Sequence, residues 1–183
     1  MRTSISHPLQ IAGISTGLPG HGLIGVTFCP GKVDPHGMTG AWNRDLAIDL
    51  DAVRKWGAVA VVTLLESHEF ELLGVKRLGE EISRRDMEWF HLPIVDTSVP
   101  DKDFERKWKN AGKKLHSILR DGHYVLVHCR GGLGRAGTIT ARLLIELGVE
   151  AEEAMARVRA KRPGAIENDK QEMYVLSLGV VRE

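Results

Sequence analysis

Residues 125–138 read VLVHCRGGLGRAGT, in which a short apolar run is followed by a cysteine, a glycine-rich loop and an arginine. The run YVLVH at 124–128 predicts a buried strand, and apolar residues recur at helical spacing after the loop. Glycines allow backbone conformations that other residues avoid, so the N–H groups of such a loop can converge on one point. The N-terminus of the following helix adds its positive dipole there. The stretch therefore predicts an anion site at the end of a strand.

Cys129 and Arg135 stand at the two ends of this loop, with five residues between them. That spacing lets the loop curl and bring the guanidinium over the sulfur. A cysteine in such a position loses its proton readily, since comparable sites lower the pKa of a thiol from about 8.5 to roughly 3.5–7.5. Arginine can bind two phosphate oxygens in parallel, which lysine cannot do. We therefore expect a nucleophilic thiolate beneath a bound phosphate.

The same glycines also match a dinucleotide-binding pattern, because residues 132–137 (GLGRAG) form a G-x-G-x-x-G between a strand and a helix. That fold needs a further strand ending in an acidic residue about 20 residues later. The sequence instead continues with AEEAMARVRAKR at 151–162, which has a helical pattern. A Walker A loop is excluded too, since no Lys-Ser or Lys-Thr pair closes the glycine run. We therefore prefer the interpretation as a nucleophilic thiolate with a bound phosphate over a dinucleotide-binding site.

Alternating strand and helix patterns surround this stretch. Residues 58–65 and 88–95 are typical of strands, and shorter apolar stretches at 9–14 and 23–28 could be edge strands. Helical patterns cover residues 43–57, one or two parts of 66–86, 101–121, the segment from the glycine-rich loop to Gly148, 151–161 and 168–181. The predicted fold class is α/β, with a central, mostly parallel sheet flanked by helices, no strand after His128 and a helical C-terminal third.

Length and composition indicate a single domain over residues 1–183. Its Gly- and Pro-rich N-terminal segment, residues 1–42, is expected to pack against the rest of the domain. Twenty-five Lys and Arg against 24 Asp and Glu give a net charge of +1, which argues against a protein that coats nucleic acid. The longest apolar run, at 58–65, is far shorter than the roughly 20 residues of a membrane span. Two cysteines cannot form a disulfide framework, which favours the cytoplasm. The histidines lack ligand spacing, so we expect no metal and no cofactor.

The run HCRGGLGR at 128–135 resembles the His-Cys-(five residues)-Arg signature of the cysteine-based protein tyrosine and dual-specificity phosphatases. Within that family it looks most like the kinase-associated phosphatase (cyclin-dependent kinase inhibitor 3) branch. GLPG at 17–20, PIVDTSVPD at 93–101 and GAIENDKQEMYVL at 164–176 are similar to that branch in kind and order. The resemblance implies a single-domain phosphatase fold and metal-independent hydrolysis of phosphate monoesters through a cysteinyl-phosphate.

The resemblance also implies a role for each matching residue of the signature. Cys129 would attack phosphorus, Arg135 would hold the equatorial oxygens in the transition state, and His128 would help to fix the loop and the thiolate. The residues that would bind the substrate phosphate together with Arg135 are Arg130, Gly131, Gly132, Leu133 and Gly134. The Arg130 side chain could also attract acidic substrates, or it could be an ordinary surface arginine.

The family's general acid is an aspartate on the loop before the helix that precedes the signature strand. Asp96 fits that place, where it would protonate the leaving oxygen and then activate water, a contribution typically worth ~10²–10⁴ in rate. Asp101 is the competitor, since it could be the acid or the cap of the next helix. Gln171, near the C-terminus, could help to position water, although helix capping and surface solvation are its more ordinary roles.

Ala136 departs from the family pattern, in which Ser or Thr usually follows the signature arginine. That hydroxyl stabilises the sulfur as it leaves the phosphoenzyme. We therefore expect slow breakdown of the intermediate, unless Thr138 or a water substitutes, and intact phosphate binding. Cys29 is either an ordinary buried or loop thiol or the partner of Cys129 in a regulatory disulfide.

The implied substrate is phosphotyrosine on a protein or peptide, with phosphoserine and phosphothreonine as further possibilities. Two alternatives stay open at this point. The first is a phosphatase for a small molecule, such as an inositol phosphate or a phospholipid headgroup. The second is a catalytically weak phosphate-binding module. The sequence does not indicate an oligomeric state.

Overall fold

The computed structural model describes residues 1–179. Its strands are β1 (Ala12–Ile14), β2 (Ile24–Thr27), β3 (Val33–Asp34), β4 (Trp42–Asn43), β5 (Ala58–Thr63), β6 (Glu88–His91) and β7 (Tyr124–His128). Its helices are α1 (Leu46–Trp56), α2 (Ser67–Leu72), α3 (Leu78–Ser83), α4 (Lys102–Arg120), α5 (Gly134–Glu146), α6 (Ala151–Lys161) and α7 (Asp169–Leu176). Within residues 1–179, no helix has the length and apolar character needed to cross a membrane.

The central sheet has five strands in the order β1-β2-β7-β5-β6, and β3 pairs with β4 separately. β1 is antiparallel to β2, whereas the other neighbours in the sheet are parallel. The predicted mostly parallel sheet is therefore confirmed. The prediction of two edge strands near the N-terminus is wrong for β2, which lies inside the sheet. Gly25 permits this position, because Ile11 and Trp56 pack where a Cβ on residue 25 would lie.

The sheet separates two apolar clusters, one on each face. Along β7, Val125 and Val127 belong to one cluster and Leu126 to the other, as the two-residue period of a strand requires. Helices α4 to α7 cover the first face, and α1 to α3 cover the second. Helices thus flank both faces as predicted. Every residue of α5 is buried, so the N-terminus of this helix is held in place by packing where it follows β7.

Several elements are shorter than their sequence patterns suggest. The strand predicted over 88–95 ends at His91, two residues before Pro93, whose missing N–H cannot extend the ladder. Helix α1 begins after Asp45, whose side chain accepts the Ile48 N–H and caps the helix. The sequence patterns do not predict the two-residue strands β3 and β4. The last helix ends at Leu176. The predicted end of that helix, at 181, lies outside the described residues.

Candidate active site

The signature loop, residues 129–135, connects the end of β7 with the start of α5. Its path depends on Gly132, which has a φ of 69° and lies so close to β2 that a Cβ would come 2.5 Å from the Thr27 carbonyl. The Gly132 N–H donates a hydrogen bond to Cys129 Sγ at 3.2 Å. Cys129 is itself buried, with 3% of the residue exposed. The loop therefore wraps around the sulfur with a backbone donor pointing inward.

Arg135 is fixed by the carboxylates of Glu69 and Asp96 and by backbone carbonyls. Its Nη1 and Nη2 donate to Glu69 Oε2 and Oε1 at 2.7 and 2.9 Å, and Nη1 also donates to the Ile94 carbonyl at 3.0 Å. Nη2 lies 3.2 Å from Asp96 Oδ1. The buried Nε has no hydrogen-bond partner among residues 1–179. The guanidinium is therefore held in one orientation with one donor unused.

The charges of Glu69 and Arg135 stabilise each other. Burial alone would raise the pKa of the Glu69 carboxyl, but the hydrogen bonds and charge of Arg135 lower it overall. Burial alone would likewise lower the pKa of Arg135, yet the bonds to Glu69 and the charges of Cys129, Glu69 and Asp96 raise it. Both partners are therefore ionised at neutral pH.

Glu69 is a site residue that the sequence reasoning missed. It lies on α2, where its carboxylate also accepts the Glu66 N–H at 2.8 Å. The spacing of Glu66 and Glu69 is a helix-start signal, which can be recognised in the sequence. That signal gives no indication that the same carboxylate reaches Arg135.

The structure gives Asp96 and Asp101 different contacts. Asp96 lies on the loop between β6 and α4, with its side chain 52% exposed and one oxygen directed at Arg135. Asp101 caps α4, since its Oδ1 accepts the Phe104 N–H at 2.8 Å. Of the two candidates for the general acid, the structure brings only Asp96 to Arg135.

The loop that carries Asp96 is tied to the start of α7. Asn168 Nδ2 donates to the Thr97 carbonyl at 2.9 Å, and Gln171 Nε2 donates to the Ser98 carbonyl at 3.2 Å. Gln171 is fully buried, and Asn168 also caps the helix by accepting the Gln171 N–H. Gln171 thus supports the backbone next to Asp96, a contact that the water-positioning hypothesis did not include.

His128 takes part in a buried chain of hydrogen bonds that ends on the backbone of Cys129. Trp89 Nε1 donates to Thr63 Oγ1 at 2.9 Å, and that hydroxyl lies 2.7 Å from His128 Nε2. His128 Nδ1 lies 3.3 Å from the Cys129 carbonyl, which can only accept. A ring with its proton on Nδ1 satisfies every group, since the Thr63 hydroxyl then donates to Nε2. Burial lowers the pKa of His128 to about 4, so the ring is neutral at pH 7.

The side chain of Arg130 is directed at the N-terminal segment. Its Nε and Nη2 donate to the two carboxylate oxygens of Asp34 on β3 at 3.0 and 3.1 Å. Gly134 begins α5 in close contact with the Glu167 carboxyl, which a Cβ at residue 134 would displace. Gly131 and Leu133 are partly exposed at the outer part of the loop. Of the predicted loop residues, Gly132 contacts the Cys129 sulfur, while the Arg130 charge is already paired with Asp34.

A protein-family model, described as "PTP-SAK: Swiss Army Knife protein, DSP-PTPase phosphatase domain", matches residues 33–175. The chain belongs to this phosphatase family. It is 32% identical over 133 residues to human protein tyrosine phosphatase type IVA 3, which covers 73% of this chain and 71% of that protein. The family predicted from the signature is therefore confirmed.

Solved structures agree with the family assignment. The fold is similar to a crystal structure of kinase associated phosphatase in which the catalytic-site cysteine is replaced by serine, with a TM-score of 0.79, 24% identity and 92% of each chain covered. It is also similar to Tk-PTP in the active form, with a TM-score of 0.66 and 29% identity over 90% of this chain and 93% of that one. The predicted fold class is confirmed.

Ala136, the departure from the family pattern, is fully buried at the start of α5. The hydroxyl of Thr138, which could have replaced the missing one, donates to the Gly134 carbonyl at 2.7 Å. It therefore bonds back along its own helix. The phosphatase has an apolar methyl group at the position after Arg135.

Both cysteines of the phosphatase are free thiols. Cys29 is fully buried, and burial raises the pKa of its thiol well above the usual range. Its Sγ lies 3.5 Å from the Pro30 carbonyl. In this structure Cys29 is therefore a buried, free thiol.

Proposed function

We propose that this phosphatase hydrolyses phosphotyrosine on proteins through a cysteinyl-phosphate, with phosphoserine and phosphothreonine as further substrates. One observation carries the proposal: the signature loop encloses the Cys129 sulfur while Glu69 holds Arg135 beside Asp96. A nucleophile, a phosphate-binding cation and a carboxyl group are therefore assembled at one place. The helix dipole of α5 adds positive potential at the same point.

In the first step, the Cys129 thiolate attacks phosphorus, and an S–P bond forms while the P–O bond to the leaving group breaks. The inward N–H groups of the loop and the unpaired Nε of Arg135 bind the equatorial oxygens, where charge is held in the transition state. Asp96 donates its proton to the leaving oxygen. Its half-exposed position on a loop suits contact with that oxygen.

In the second step, the Asp96 carboxylate takes a proton from water, whose oxygen attacks phosphorus. The S–P bond breaks, phosphate forms and Cys129 leaves as the thiolate. Ala136 offers no hydroxyl to that sulfur, so the Gly132 N–H is the donor that stabilises it. This step is therefore expected to limit turnover.

Protein substrates are favoured over polyanionic small molecules. The relative with 32% identity is a protein tyrosine phosphatase by name. In this chain Arg130 is neutralised by Asp34, and the carboxyl groups of Asp96 and Glu167 flank the loop. With its charge paired, Arg130 offers no free cation to additional phosphate groups on a small ligand. We further propose that residues 1–183 act as one domain and work in the cytoplasm, where the two free thiols persist.

The test is hydrolysis of para-nitrophenyl phosphate in EDTA by the wild-type protein and by Cys129→Ser. We expect turnover in the wild type, loss to background in Cys129→Ser, and retained binding of orthovanadate by both. Cys29→Ser is the matched control and should keep most of the activity. Turnover in Cys129→Ser would remove this residue as the nucleophile. Vanadate binding without wild-type turnover would instead indicate a phosphate-binding module.

A second measurement addresses the substrate class. The ratio kcat/KM is compared for phosphotyrosine, phosphoserine and phosphothreonine peptides and for inositol phosphates. The proposal requires the phosphotyrosine peptide to be the better substrate. A higher kcat/KM for an inositol phosphate would make a small molecule the substrate.

A further inference from the structure

Three consecutive backbone carbonyls of the signature loop are bound by two cationic side chains from distant parts of the chain. Lys32 Nζ donates to the Arg130 carbonyl at 3.2 Å. Arg162 donates through Nη2 to the Gly131 carbonyl and through Nε to the Gly132 carbonyl, each at 3.0 Å. These cations lie outside the His-Cys-(five residues)-Arg signature, and the steps derived above do not use them.

The direction of these carbonyls decides which way the loop N–H groups point. A trans peptide is planar, with its C=O and the next N–H on opposite sides. When the Gly131 carbonyl turns outward to Arg162, the Gly132 N–H turns inward, where it reaches Cys129 Sγ at 3.2 Å. The same geometry applies to the peptides on either side, so the N–H groups of Gly131 and Leu133 also turn inward.

Lys32 is buried, with 2% of the residue exposed. Its ammonium lies 4.8 Å from the centre of the Phe28 ring and 5.4 Å from that of Trp42. Burial lowers the pKa of Lys32, whereas the nearby Cys29, Asp34 and Cys129 raise it and Arg130 lowers it further. Burying an ammonium group costs free energy unless the group is paired or hydrogen-bonded. The hydrogen bond from Lys32 to the Arg130 carbonyl offsets part of this cost and connects the ammonium group to the loop.

Arg162 directly follows α6. Its planar fork matches two successive carbonyls, which a lysine could not bind in the same way. Burial lowers the pKa of Arg162, and the charge of Cys129 opposes that effect. Lys32 and Arg162, which lie far apart in the sequence, thus bind adjacent peptides of one loop.

We propose that Lys32 and Arg162 are positioning residues for phosphate binding, which keep the carbonyls of the signature loop outward and its N–H groups directed at the phosphate. Their charges act in the same direction, since each adds positive potential near the thiolate and the bound anion. This inference rests on the proposed function, because it assumes that phosphate occupies the signature loop.

The test compares Lys32→Met and Arg162→Met with Lys114→Met, in which an exposed lysine paired with Glu88 is changed in the same way. We expect vanadate to bind about 10-fold or more weakly to the first two variants, because each loses hydrogen bonds from a charged donor. The KM for a phosphotyrosine peptide should rise in proportion. Lys114→Met should match the wild type in both measurements.

Arg162→Lys separates positioning from mere structural support. It keeps the charge but can bind only one carbonyl well, so its vanadate affinity should lie between those of the wild type and Arg162→Met. Folded variants that bind vanadate as tightly as the wild type would overturn the inference and leave the proposed function intact. Should Lys32→Met fail to fold, the vanadate affinities of the Arg162 variants test the inference, because Arg162 is partly exposed. A wild type that neither binds vanadate nor hydrolyses phosphate would overturn both proposals.

Discussion

At the scale of single residues, Asp96 and Asp101 are separated by what their carboxylates bind. Asp96 faces Arg135, whereas Asp101 accepts the Phe104 N–H. We predict that Asp96→Ala lowers kcat/KM, which reports the first step, by ~10²–10⁴ for alkyl phosphates and much less for para-nitrophenyl phosphate, because a good leaving group needs no proton. The measurement is kcat/KM against the basicity of the leaving group.

Asp101→Ala is the control for this prediction. Loss of the helix cap should cost about 1 kcal/mol of stability and leave the dependence on the leaving group unchanged. An equal leaving-group effect in Asp101→Ala would transfer the acid role to that residue.

Ala136 supports a second prediction at this scale. Ala136→Ser places a hydroxyl next to the signature arginine, where it can stabilise the departing thiolate, so steady-state kcat should rise and the initial burst of nitrophenol should shrink. Rapid-mixing kinetics with para-nitrophenyl phosphate measure both. Ala141→Ser makes the same change at another fully buried position of α5, away from the sulfur, and should give no gain. Identical kinetics in Ala136→Ser and the wild type would mean that breakdown of the intermediate is not limiting.

At the scale of secondary-structure elements, α2 contributes to the site through Glu69. Glu69→Gln removes the buried carboxylate that pairs with Arg135 and leaves the half-exposed Asp96 beside it, and breaking a buried pair typically costs ~3–5 kcal/mol. Urea unfolding at pH 7 measures this loss. Glu71→Gln on the same helix breaks the exposed pair with Lys76 and should leave the free energy of unfolding nearly unchanged, because solvent screens that pair. Similar losses in the two variants would contradict a special role for the Glu69 pair.

The elements also show how far sequence reasoning reaches. The strand, loop and helix around Cys129 were predictable, because their pattern is written in one continuous stretch. Glu69 and Lys32 were not, since they bind loop residues 66 and 98 positions away and no local spacing records such contacts. The interior position of β2 was missed for the same reason, because it depends on packing around Gly25.

At the scale of the whole molecule, the stability of the fold depends on pH through the buried His128 and Glu69. His128 on β7 is buried and neutral, with its pKa lowered from 6.5 to about 4. Between these values the unfolded chain binds a proton that the folded protein does not, so stability falls as the pH drops through this window. Glu69 adds a loss at lower pH, because its pKa in the folded state lies below its ordinary value of 4.5.

We therefore predict that the free energy of unfolding falls in two successive stages on acidification. The first, between about pH 6.5 and pH 4, belongs to His128 and amounts to about 3 kcal/mol. The second begins below about pH 4.5, where Glu69 and the likewise paired Glu146, whose pKa values are both lowered, take up protons. Urea unfolding from pH 7.5 to pH 3.5 measures both stages. His128→Gln should flatten the first stage, whereas His36→Gln, which changes an exposed histidine, should keep it. If His128→Gln retained the full slope between pH 6.5 and pH 4.5, groups other than the buried imidazole would account for the acid sensitivity of the fold.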